Sequence, residues 1–157
     1  MPPRSKDVLT RPQRTYCMSR IQGKNTKPEM AVRSYLHGQG FRFRLHRTDL
    51  PGKPDLVLPR YRLVIFVHGC FWHRHRGCFY ATSPATRKEF WRNKLEGNVS
   101  RDYRQQKELI ELGWRVLVIW ECGIRHAHEA LNGVPALITG NDVFNEWPGS
   151  PPRQRKT

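Results

Sequence analysis

The sequence has no long hydrophobic run, few acids and few cysteines. Its longest strongly apolar stretch is Leu63–Val67, whereas a transmembrane helix needs about 20 apolar residues. Residues 1–25 contain no apolar segment of the kind a secretory leader uses, so a soluble, intracellular protein is expected. No segment forms a clear basic amphipathic helix, which argues against calmodulin-like or membrane-surface binding. No internal repeat is visible. Only 38% of the residues are hydrophobic, but 11% are aromatic, enough to build a core and to make wholesale disorder unlikely on composition. A length of 157 residues suits one compact domain rather than two. The four cysteines are Cys17, Cys70, Cys78 and Cys122. Without a secretory leader, reduced thiols that bind metal are favoured over disulfides.

Basic residues are abundant. There are 28 Lys and Arg against 13 Asp and Glu, a formal charge of +15. The excess is uneven: 11 bases and 3 acids in residues 1–50, 9 and 3 in residues 51–100, and 8 and 7 in the remainder. A polyanion, most plausibly nucleic acid, is the partner that such a field attracts.

Residues 1–24 mix Pro, Arg, Lys and Ser and read as a flexible basic arm that can order on a nucleic-acid backbone. Thr26-Lys27-Pro28-Glu29 is a capping box, and Val32, Tyr35 and Leu36 share the buried face of the helix it opens. Gly38 and Gly40 end that helix. Phe41, Phe43 and Leu45 alternate with Arg42, Arg44 and His46 as a half-buried strand. Leu50–Pro54 is a turn, Asp55–Leu58 a short strand, and Leu63–His68 a central strand covered on both sides. Thr86-Arg87-Lys88-Glu89 reads as a second capping box opening a helix to about Glu96. A further helix is expected from Asn98 to Leu112, with Val99, Tyr103, Leu109 and Ile110 facing inward. Arg115–Trp120 is another buried strand. Residues 141–157 read as a disordered C-terminal tail. The element order predicts an α/β sandwich with a mixed sheet flanked by helices.

Cys70-Phe71-Trp72-His73-Arg74-His75-Arg76-Gly77-Cys78 places two thiols and two imidazoles in nine residues. Zn²⁺ takes four Cys and His ligands in a tetrahedron. Cys70 and Cys78 supply two, either His73 or His75 a third, and Cys122, after the last buried strand, can return as the fourth. Spacing does not choose between the histidines; Cys17 sits in the arm. A second constellation lies nearby. If the strands starting at Asp55 and ending at Val67-His68 pair, a carboxylate and a main-chain carbonyl approach one another, which suits Mg²⁺. His68 and His73 are close along the chain, and histidine can deprotonate an attacking water near neutral pH.

Leu50–Asp55, Val67–His75, Ala85–Trp91 and Gly113–Cys122 together resemble the bacterial very-short-patch repair DNA mismatch endonucleases, a likeness that extends from about Met18 to Cys122. The resemblance implies a restriction-endonuclease-like fold with a structural zinc, spanning residues 25–140 as a single nuclease domain. It implies a strand-specific nick 5′ of the T in T·G mismatches, which arise when 5-methylcytosine deaminates. It makes Asp55 and the main-chain carbonyl of Val67 the protein ligands of Mg²⁺ and His73 the catalytic base. That leaves His75 with Cys70, Cys78 and Cys122 for zinc. Glu29 and His68 match accessory active-site positions that act through the metal's waters, and Asp102 matches an orienting partner of His73. The fold's common metal motif carries a second acid two residues before a lysine; Phe66 and His68 stand at those places here.

The same resemblance makes Phe71, Trp72 and Trp91 wedges in the base stack, where an aromatic replaces lost stacking and a mismatch is easier to open than a matched pair. Trp114 and Trp120 read as core. Arg14, Arg20 and Lys24 suit phosphate contacts from the arm, and Lys53, Arg74, Arg76, Arg87 and Lys88 surround the expected site. The implied partners are double-stranded DNA carrying a T·G mismatch, repair proteins, and a functionally paired cytosine-5 DNA methyltransferase. The implied location is the bacterial cytoplasm, at the nucleoid. Two other functions fit the residues: a zinc-stabilised DNA-binding module without catalysis, and a restriction-type nuclease that cuts matched DNA.

Overall fold

The structure is a computed structural model that describes residues 25–126 and 131–156. The basic arm, with Arg14, Cys17, Arg20 and Lys24, lies outside the described residues. Helix α1 (Lys27–Gly38) opens as its sequence dictates: Thr26 Oγ1 accepts a hydrogen bond from the Glu29 amide at 3.4 Å, with Pro28 in the first turn. The Glu29 carboxylate accepts from the Asn25 amide at 3.1 Å, one residue earlier than in the usual reciprocal box. Strands β1 (Arg44–Leu45), β2 (Leu56–Leu58) and β3 (Leu63–His68) follow, then helix α2 (Lys88–Glu111) and strand β4 (Arg115–Trp120). Short helices α3 (Glu121–His126) and α4 (Val134–Thr139) precede β5 (Phe144–Trp147).

The five strands lie in chain order in one sheet. β1–β2 and β2–β3 are antiparallel, whereas β3–β4 and β4–β5 are parallel. The mixed, helix-flanked sheet expected from the sequence is therefore present. Parallel pairing of β3 with β4 needs a long crossover, and α2 supplies it. The period-two alternation of strands divides their apolar runs between two cores. Leu63, Ile65, Leu117 and Ile119 face α1 and α4, with Val32, Leu36, Val134 and Ile138. Val64, Phe66, Val116, Val118 and Trp120 face Leu109 of α2 and the three described cysteines. Both faces of β3 and β4 are thus covered, and their carboxyl ends, His68 opposite Trp120, open into the site.

Several expectations need correction. The two helices expected over residues 86–112 are one continuous helix of 24 residues. Gly97 sits inside it; glycine costs a helix interior about 1 kcal/mol, and buried anchors on both sides, Leu95 and Asn98, outweigh that. Thr86 is not its cap: Arg87 holds the N-cap position with φ +52° and no side-chain cap bond forms. Val99 and Tyr103 point outward, Tyr103 being 69% exposed, because a straight helix presents only one stripe to the sheet. The strand expected from Phe41 shrinks to Arg44–Leu45, with Leu45 exposed, since β1 is an edge with no neighbour beyond it. Residues 141–156 are not a tail. They contain β5, whose Trp147 indole donates to the Asn132 carbonyl at 2.7 Å. Beyond β5, Gln154 bridges to Cys78.

Candidate active site and metal centre

A cleft of about 740 Å³ opens at the end of β3. Its walls come from the N-terminus of α1, the turn before β2, the His/Cys loop and one face of α2. Asp55 is anchored by the sheet itself. Its amide donates to the Ile65 carbonyl at 3.1 Å, and its Oδ2 accepts from the Val67 amide at 2.7 Å. In an extended strand the amide and carbonyl of one residue face the same edge. The Val67 carbonyl therefore faces the edge where Asp55 stands, beyond the last residue of β2 that could pair with it. Asp55 and Val67 both line the cleft, and a carboxylate with a main-chain carbonyl is the kind of oxygen set that hard cations take.

Glu29 adds a second acid. It is only 6% exposed and ion-pairs with Arg33 at 3.1 Å. Burial, together with the neighbouring Glu29 carboxylate, pushes the Asp55 carboxyl up to about 7, against the opposing pull of the Val67 amide and Arg33. Two acids crowded in a desolvated corner favour a proton or a cation between them.

His68 and His73 stack face to face, 3.7 Å between centroids and 5° between planes. His68 is buried, T-shaped to Trp120 at 5.4 Å between centroids, and burial beside His73 holds its imidazole well below the usual histidine range. His73 is more open. Its Nδ1 lies 2.5 Å from Asp102 Oδ2. A carboxylate only accepts, so Nδ1 is assigned the proton and Nε2 is left with a lone pair. One turn earlier on α2, Asn98 donates to the Trp72 carbonyl at 3.1 Å. Asn98 and Asp102 are four residues apart, on one helical face, and together they fix the backbone and the ring of adjacent loop residues. The sequence reading missed Asn98; the signal was a polar pair at helical spacing beside Leu95, on the inward side of the helix. Lys94 and Gln105 on α2, also missed, line the cleft.

On the other side of Trp120, Cys70, His75, Cys78 and Cys122 are all buried, with ligand atoms within 4.8 Å of one another. His75 Nδ1 is 3.3 Å from Cys122 Sγ and 3.7 Å from Cys70 Sγ. A tetrahedral zinc with ordinary bond lengths sets such atoms roughly 3.5–3.8 Å apart, so the donor set fits that ion. The His75 ring stacks on Trp120 at 4.2 Å, and burial pulls it down to about 4. Burial also raises the thiols of Cys70 and Cys122, the latter to about 11. Without a cation these groups are neutral; a metal converts the thiols to thiolates. In space the two histidines that spacing left open part company: His75 lies with the three thiols, and His73 lies against Asp102 and lines the cleft.

Phe71, Trp72 and Trp91 form a cluster, with centroids 5.1–5.9 Å apart. All three are half-buried, so each keeps an open part. Trp120 belongs to the core as expected, and Trp114, partly buried, packs against it. Lys53 is exposed on the cleft with φ +48°. Arg87 lies 4.3 Å over the Phe90 ring. Arg74 is differently employed than its sequence position suggested. Its guanidinium donates to the carbonyls of Phe71, Thr82 and Ala81 and to Ser83 Oγ, holding the loop in shape.

A model of the family described as DNA mismatch endonuclease Vsr matches residues 6–79. The chain is 53% identical over 116 residues to the type II nicking enzyme V.XorIIP of Xanthomonas oryzae pv. oryzae, covering 74% of this chain and 85% of the relative. It is 49% identical over 119 residues to the DNA mismatch endonuclease Vsr of Escherichia coli K12, covering 76% of each. It is 41% identical over 120 residues to the type II nicking enzyme V.NmeAIP of Neisseria meningitidis, covering 76% and 85%. With the paired carboxylates, the His73–Asp102 dyad and the Cys/His centre in place, the chain belongs to the Vsr family of DNA mismatch endonucleases.

Proposed function

We propose that this protein is a strand-specific endonuclease that nicks DNA 5′ of the T in a T·G mismatch, beginning very short patch repair in the bacterial nucleoid. The observation that carries the reading is the convergence of Asp55, Glu29, His68 and the His73–Asp102 dyad on one cleft beside an aromatic cluster. Asp55 and the Val67 carbonyl would hold Mg²⁺, with Glu29 and His68 as outer partners. Bound there, the ion would supply Lewis-acid stabilisation of charge on the phosphate.

The protein's own groups do the rest. His73 Nε2 takes the proton of the attacking water as oxygen bonds to phosphorus and one ester oxygen leaves. Asp102 keeps the ring in the required tautomer and stabilises the imidazolium that forms. Stacked on His73, His68 stays neutral and fixes the ring plane. Phe71, Trp72 and Trp91 would enter the base stack beside the mismatch, with Lys53, Arg87 and the arm on phosphates. Cys70, His75, Cys78 and Cys122 would hold a structural zinc that keeps the loop rigid. The substrate class implies a cytosine-5 methyltransferase as the source of the lesion.

Purified wild type should nick a labelled T·G duplex in Mg²⁺ and leave the matched duplex largely intact. Asp55→Ala and His73→Ala should bind the mismatch without nicking it. Normal nicking by either variant would overturn the mechanism, and equal cutting of both strands of matched DNA would overturn the substrate.

A further inference from the structure

The segment after β5 folds back onto the His/Cys loop. The Phe79 amide donates to the Arg153 carbonyl at 3.0 Å and the Arg155 amide to the Gly77 carbonyl at 2.9 Å, flanking the bridge between Cys78 and Gln154. Backbone pairing on both sides of Cys78 fixes where the basic side chains of this strap stand. Arg153, Arg155 and Lys156 are exposed and, with Phe79 and Thr82, line a cleft of about 430 Å³. The Arg153 guanidinium lies 3.5 Å from the centre of the Phe79 ring. Arg155 and Arg74 donate to the same carbonyl, that of Ala81.

Among the described residues, the ion pairs all involve other cations. Two guanidiniums therefore meet on one carbonyl with no carboxylate to balance them, and a third cation and a lysine stand beside them. Like charges held together in this way are relieved by an anion. A guanidinium fork matches phosphate oxygens in particular.

We propose that this strap is a phosphate-binding surface for the DNA duplex flanking the cleft, with Arg153, Arg155 and Lys156 contacting the sugar–phosphate backbone. The proposal rests on the reading of the chain as a DNA endonuclease. It adds a contact region that the residues up to Cys122 do not contain, and it couples DNA engagement to the loop that carries Cys78.

The test uses the full chain carrying R153Q, R155Q and K156Q. The Arg155→Gln change keeps a donor for the Ala81 carbonyl, and metal content and melting temperature report whether the loop survives. Binding is read by fluorescence anisotropy without added Mg²⁺, on a short T·G duplex and on one extended by about one helical turn on each side. The slope of log affinity against log salt should fall by about 2–3 on the long duplex, since each phosphate contact contributes about 0.9, and change little on the short one. If the triple variant loses its metal, Lys156→Glu alone, a site with no described role in the loop, should still lower the long-duplex slope by about one. An unchanged slope, or equal loss on both duplexes, overturns the proposal. Because the readout is binding, a wild type that bound but did not nick would sink the catalytic reading and leave this one standing.

Discussion

Two histidines two residues apart on one loop face opposite fates. His73 lies in an open, carboxylate-lined cleft; His75 lies among buried thiols. Trp120 is the wall between them, stacked on His75 at 4.2 Å and meeting His68, the ring stacked on His73, at 71° between planes. What separates the two imidazoles is the chemistry across from each: a carboxylate for His73, thiols for His75. Asp102 accepts at His73 Nδ1 and leaves Nε2 toward the cleft, whereas His75 Nδ1 lies among thiols in a group that could hold a metal.

The largest effect should come from the closed side. Apparent binding of a structural zinc is worth about 10–16 kcal/mol, as much as the whole stability of a small domain, about 5–15 kcal/mol. Cys78→Ala or Cys122→Ala is expected to yield a metal-free chain without a cooperative melt. Wild-type metal content by elemental analysis would break the comparison. On the open side, His73→Ala should slow nicking by about 10²–10⁴-fold, the range of general-base catalysis, with metal content unchanged. Asp102→Asn can impose the wrong tautomer on His73 and should cost a comparable factor, up to about 10⁴-fold. Single-turnover rates measure both, and metal loss from either variant would mean that the two sites are not separate.

The pH response should differ as well. The Asp55 carboxyl is raised to about 7 in the fold. Its contribution to stability is complete below the ordinary carboxylate range, and it is lost as pH rises through about 7, where the ionised acid must sit beside Glu29. The metal-free active site should thus melt lower at pH 8 than at pH 5, a difference that Asp55→Asn removes and added Mg²⁺ reduces. Protons should compete with Mg²⁺, so nicking at limiting Mg²⁺ should decline below pH 7. Flat pH profiles in both assays would contradict the carboxylate geometry. The smallest effect belongs to the wedge. Trp72→Ala should cost about 1–3 kcal/mol of base stacking, seen as reduced preference for mismatched over matched duplex; equal loss on both would argue against insertion.

The parts of this design that were legible in the sequence are those written in local patterns. The capping box at Thr26, the apolar run of β3 and the clustered thiols of Cys70–Cys78 each announce themselves within a few residues. Cys122 was legible because it directly follows a buried strand. The continuous α2 was not, because Gly97 reads as a stop signal and only its tertiary anchors override it. Nor was β5: Phe144, Asn145, Glu146 and Trp147 alternate weakly, with Phe144 exposed, and the prolines after them mimic a loose tail. Asn98 left only a faint signal, its four-residue spacing from Asp102 beside Leu95, because the Trp72 carbonyl it serves is distant in sequence.

The bridge between Cys78 and Gln154 also bears on how the molecule is made. The loop of residues 70–78 is held by Cys122 and again by Arg153–Arg155, so its supports arrive last as the chain leaves the ribosome. Strand β5 and the strap at residues 153–155 both follow that loop in the chain, so a chain lacking residue 153 has no complete frame for the loop that presents His73.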